Sequence, residues 1–84
     1  MTPRLPRDLS GTELIRALER QGYVVTRSVG SHVRLTHPGP PERHITIPRH
    51  DGLKVGTLKA ILDDLGEAWK LDRMQVLQRL LKSA

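Results

Sequence analysis

The spacing of apolar positions changes along this chain, and each change marks an element. Leu14, Ile15 and Leu18, with Ala17 beside them, recur at the spacing of one helix face, while Arg16 and Arg20 fall off it. Ser10 and Glu13 stand at the separation of a capping box, so a helix should start there and stop at Gly22. Tyr23 to Ser28 is β-branched and alternating, and Val29-Gly30 reads as a turn into a second strand, Ser31 to His37. Pro38-Gly39-Pro40-Pro41 forms a stiff loop, a third strand follows from His44 to Ile47, and Pro48 ends it. From Val55 or Gly56 the helical period returns with Leu58, Ile61, Leu62 and Leu65, which places a stop at Gly66. Asp72 and Gln75 repeat the capping spacing before a short last helix with Met74, Leu77, Leu80 and Leu81 on its packed face.

The order α-β-β-β-α-α implies an α+β layer with a three-stranded antiparallel sheet, one face against helices and the other open. On the second strand Val33 and Leu35 point to one side, His32, Arg34 and Thr36 to the other. The polar set therefore belongs on the open face. At 84 residues the chain reads as one domain: an arm over residues 1–9, a core over 10–66 and a helical extension over 67–84.

Charge adds a partner class to this frame. Fourteen basic against nine acidic residues give a formal charge of +5, and residues 1–60 hold ten basic and five acidic against four of each thereafter. Such an excess favours RNA, DNA or an acidic protein. With Tyr23 and Trp69 the only aromatic residues, nucleic-acid contact should rest on phosphates, 2′-hydroxyls and shape, with little base stacking. No apolar run approaches the roughly 20 residues of a membrane span, and the first residues lack the apolar stretch of a secretion signal. A cytoplasmic protein with no membrane partner is expected, in keeping with the absence of cysteine.

Candidate chemistry is sparse. His32, His37, His44 and His50 are separated by five, seven and six positions, with no cysteine and no His-x3-His pair, so no metal site and no cofactor is expected. No serine occupies a strand-to-helix elbow, and Ser31 and His32 are strand neighbours that point apart. The start of the second helix, at Gly56 and Thr57 with Lys54 and Lys59 nearby, could offer free amides to a phosphate or be a plain helix end.

Several of these segments, taken in register, resemble a known family. Gly22-Tyr23, Gly30-Ser31-His32, Ile47-Pro48-Arg49-His50 and Lys54-x-Gly56-Thr57-Leu58-x-x-Ile61-Leu62 are similar in order and spacing to the HicA toxins of prokaryotic toxin–antitoxin pairs, over Ser10 to Gly66. Val55 stands where that family commonly has a helix-starting proline, and Glu67 to Ala84 lies beyond the resemblance. The resemblance implies a double-stranded-RNA-binding-domain-like fold. It further implies a metal-independent endoribonuclease acting on mRNA and neutralised by a HicB antitoxin, with any oligomer formed through the antitoxin complex. The family's catalytic histidine, in its Gly-Ser-His motif, falls on His32.

Imidazole ionises near neutral pH, so His32 could take a proton from an RNA 2′-hydroxyl or give one to the leaving 5′-oxygen. Arg34, on the same strand face, is the first candidate for the phosphate charge, with Arg49, His50 and Lys54 and the Gly56 and Thr57 amides as further substrate contacts. Two other readings remain: a non-catalytic RNA-binding module of this fold, and an interaction protein whose basic face meets an acidic partner.

Overall fold

A computed structural model describes residues 9–82 and contains three helices and a three-stranded antiparallel sheet. Helix α1 spans Gly11–Arg20, strands β1, β2 and β3 span Val24–Val29, His32–His37 and Arg43–Pro48, and helices α2 and α3 span Val55–Trp69 and Arg73–Lys82. The sheet order is β1-β2-β3, so β2 is central. This is the α+β, double-stranded-RNA-binding-domain-like arrangement with an added C-terminal helix. Among the described residues no helix is long and apolar enough to cross a membrane.

Both capping boxes form. The Glu13 amide donates to Ser10 Oγ at 3.0 Å and the Ser10 amide to Glu13 Oε1 at 3.1 Å. At α3 the Gln75 amide donates to Asp72 Oδ1 at 2.8 Å and the Asp72 amide to Gln75 Oε1 at 2.9 Å. The core lies between one sheet face and the helices. Val33, Leu35, Ile45 and Ile47 pack there with Leu14 and Leu18 of α1, Leu58, Ile61, Leu62 and Leu65 of α2, and Val76, Leu77 and Leu80 of α3. Leu9, the last residue of the expected arm, is buried too, and its carbonyl accepts from the Leu53 amide at 3.1 Å. The rest of that arm, residues 1–8, lies outside the described residues.

Helix α2 runs past Gly66, where the leucine period had placed its end. Gly66 is buried inside the helix because a Cβ there would stand 2.6 Å from the Leu71 carbonyl oxygen, so its signal is close approach and not termination. The helix ends at Lys70, which takes the left-handed conformation at φ 57°, and the amides of Lys70 and Leu71 both donate to the Gly66 carbonyl. On α3, Val76 is buried where Leu81 had been expected; Leu81 is 53% exposed and Met74 is partly buried. Trp69 packs against the core edge and carries the Arg79 guanidinium 4.3 Å from its ring centroid.

Strand β1 departs most from its expected pattern. It begins at Val24 and includes Val29; Tyr23 is buried beside it, edge-on to His37, and burial pushes its phenol above the ordinary value. Every residue of β1, an edge strand of the sheet, is exposed. Its pairing with β2 steps from Val25↔Leu35 to Arg27↔Arg34, which leaves Thr26 as an extra residue in a bulge.

Candidate functional site

The placement of His32 follows from two facts about β2. Val33 and Leu35 are fully buried, each contributing about 1.5–3 kcal/mol by leaving water, and a one-residue slip would expose both. His32 and Arg34 are thereby held on the opposite, open face, and both are exposed. Neither side chain makes a hydrogen bond or ion pair among the described residues.

The turn before His32 is built from Gly30 and Ser31, with Val29 and His32 as its closing pair. Gly30 takes φ 59° at the first central position, the position where a two-residue type II′ hairpin turn places its glycine. The strand break expected at Val29-Gly30 thus falls one residue later, and Ser31 belongs to the turn. Ser31 also anchors the chain after β3. Its carbonyl accepts from the Arg49 amide at 2.6 Å, and its Oγ lies 3.3 Å from His50 Nε2. Arg49 and His50 are therefore brought to the His32 end of the sheet, both exposed.

A third element closes on the same loop. The Gly11 amide donates to the His50 carbonyl at 2.8 Å, and a Cβ at Gly11 would collide with the Pro48 carbonyl. Glycine inside the first capping box is thus required by the approach of α1 to the end of β3.

Strand pairing arranges the open face in rows across β1, β2 and β3. Val29, His32 and Pro48 form one row, Arg27, Arg34 and Thr46 the next, and Val24, Thr36 and His44 the third. Arg27 was not among the residues read as site candidates. Counted by alternation from Val25 it belongs on the covered side; the Thr26 bulge turns it over. Counting back from a Gly30-Ser31 turn would have found it opposite Arg34. Two guanidinium groups directly across a strand pair repel, and no carboxylate pairs with either among the described residues. A sheet that keeps such a pair exposed is suited to a polyanion.

The remaining candidates lie elsewhere. Lys54 is the N-cap of α2 and makes no side-chain cap, and no acidic residue stands in the first turn, so the amides beside Gly56 and Thr57 are left uncapped. That helix packs on the covered side of the sheet, and no hydrogen bond joins these residues to His32 among the described residues. Among the described residues no three His or acidic side chains gather at metal-binding distance. His37 is partly buried against Tyr23, and its Nδ1 accepts from the Gly39 amide at 3.1 Å.

In comparison with known proteins, a family model described as the HicA toxin of bacterial toxin–antitoxin matches residues 11–67, about two thirds of the chain. No curated protein and no solved structure gave a match. The matched span holds α1, all three strands and α2 almost to its end, and so includes every row of the open face.

Proposed function

The chain belongs to the HicA toxins of bacterial toxin–antitoxin pairs, and on that premise we propose that it is a metal-independent endoribonuclease that cleaves mRNA in the cytoplasm through His32 and is neutralised by a HicB-type antitoxin. The observation that carries the reading is the open face itself. Among the described residues, an unpartnered imidazole stands one row from two mutually repelling arginines, on a surface with no apolar layer above it.

The chemistry asked of His32 is small. In RNA the 2′-hydroxyl is tethered beside its own phosphate, so alignment and charge stabilisation lower much of the barrier. The 2′-oxygen forms a bond to phosphorus, the bond from phosphorus to the 5′-oxygen breaks, His32 takes the 2′-proton, and the 5′-oxygen gains a proton from solvent. Arg34 and Arg27 meet the charge that gathers on the non-bridging oxygens. Arg49, His50, Lys54 and the Gly56 and Thr57 amides are proposed to hold phosphates further along the strand. His50 also braces Ser31, the residue that feeds the chain into His32.

The test is RNA cleavage by the purified full chain, with ends mapped and a chelator present. The account expects cleavage that survives chelation, with 2′,3′-cyclic phosphate and 5′-hydroxyl ends. Loss of activity on chelation, restored by zinc or magnesium, would point to metal-activated water instead. The arginine pair would equally suit a non-catalytic RNA-binding module, and binding without any cleavage product would favour that reading.

A further inference from the structure

A second polar network lies on the same open face, away from His32. Thr26, displaced by the bulge, places its Oγ1 2.9 Å from Thr36 Oγ1 and 3.4 Å from the Arg34 carbonyl. Thr36 Oγ1 is in turn 2.9 Å from His44 Nδ1, and His44 Nε2 is 3.0 Å from Glu42 Oε2. The network spans all three strands.

Hydroxyl, imidazole and carboxylate in this order have the connectivity of an activated nucleophile. The position argues against that use. Thr36 is on the central strand, whose backbone is engaged by ladders on both sides, which leaves no amide pair to hold an oxyanion beside it. What remains is a set of polar groups held in place before any ligand arrives. A hydroxyl has one donor and two acceptor positions, and Thr26 and His44 occupy two of the three on Thr36; the second oxygen of Glu42 is a further acceptor.

Its place along β2 indicates the ligand. Thr36 is four residues from His32 on the same side of the strand, about 13 Å at roughly 3.3 Å per residue. The Arg27–Arg34 row lies between them. A single strand of RNA laid along β2 with its scissile phosphate at His32 would pass the arginines with its phosphates. It would bring a sugar beyond the cleaved step over the network. We propose that Thr26, Thr36, His44 and Glu42 form a subsite for the ribose 2′-hydroxyl of a nucleotide flanking the cleavage point. This deepens the ribonuclease reading and rests on it. The 2′-hydroxyl can donate to the free oxygen of Glu42 or the remaining position on Thr36, a bond that a deoxy sugar cannot make, which distinguishes RNA from DNA at that nucleotide.

The test uses the full chain and a short single-stranded oligoribonucleotide, with variants carrying one 2′-deoxy sugar at each position in turn. Binding is read by fluorescence anisotropy and cleavage by gel. For the wild type, one position separated from the cut site should lose about three- to tenfold in affinity when deoxy, as for one hydrogen bond. Thr36→Val should weaken the all-ribose oligonucleotide by a similar factor and be indifferent to the deoxy sugar at that position. His44→Ala should behave alike. If no flanking position is sensitive, or if Thr36→Val retains the full deoxy penalty, the subsite is wrong. Should the wild type cleave none of the series, the ribonuclease reading fails, while the anisotropy data still decide whether the subsite binds RNA.

Discussion

Replacing Arg27 by Gln removes one charge from the cross-strand pair and leaves a shorter, neutral polar side chain. Arg27 and Arg34 are direct partners in the antiparallel register, both exposed, with no carboxylate beside them among the described residues. Like charges opposite each other on a sheet cost about 0.2–1 kcal/mol. Residues directly opposite on a sheet have Cβ atoms about 5 Å apart, inside the Debye length of about 10 Å at 0.1 M salt, so the cost should shrink as salt is raised. The variant should therefore be more stable than the wild type by about 0.5 kcal/mol at low salt. With an m-value of about 1 kcal/mol/M for a domain this small, that is a shift of about 0.5 M in the urea midpoint, which should shrink markedly by 1 M salt. RNA affinity should move the other way. If Arg27 meets a phosphate, the slope of log affinity against log salt should fall by about 0.7. A variant that is less stable than the wild type, or that binds RNA with an unchanged slope, would refute the claim that this pair is retained for a polyanion at the expense of stability.

Three further substitutions probe how the site is held. Gly11→Ala places a methyl against the Pro48 carbonyl, and should cost about 1–3 kcal/mol in thermal or urea unfolding while lowering RNA cleavage through the displaced Pro48–His50 segment. Lys70→Gly relieves a left-handed conformation at the end of α2; relief of about 1–2 kcal/mol, partly offset by the freer unfolded chain, should raise the melting temperature. The Arg73 guanidinium hydrogen-bonds Asp63 at 2.9 and 3.0 Å and holds its carboxyl below the ordinary value. A lowered folded-state value means that this contribution is present above the unfolded value of about 3.8 and is lost as pH falls through the folded one. Asp63→Asn should accordingly lessen the loss of stability below about pH 4 in acid titrations, and an unchanged acid limb would remove this pair from the account.

The fold was largely legible because its signals are local and redundant. Val33 and Leu35 alternate, Leu58, Ile61, Leu62 and Leu65 follow the helical period, and both capping boxes form as their spacing requires. Two of the misplacements arise because a glycine carries more than one meaning. Gly66 reads as a helix stop but serves a close approach to Leu71, a contact made by the left-handed turn at Lys70 that ends α2. Gly30 reads correctly as a turn, yet whether it comes first or second in the turn decides the whole register of β1. The choice sets whether Arg27 stands opposite His32 or Arg34, while the bulge at Thr26 is what brings it to the open side when counted from Val25. His32 and Arg34 could be placed because their buried neighbours place them. Thr26, Thr36, His44 and Glu42 could not, since their contacts cross three strands and depend on a bulge that no alternation announces.

The account turns on His32. The most direct measurement is cleavage of one mRNA transcript by purified wild type and His32→Ala, side by side, with circular dichroism and antitoxin binding to establish that both are folded. Because His32 is exposed and packs on nothing in the core, the variant should fold and bind like the wild type. Its cleavage rate should fall by about 10²–10⁴-fold, the usual loss of a general base. Cleavage by His32→Ala at the wild-type rate would contradict the assignment and return the open face to the role of an RNA-binding surface.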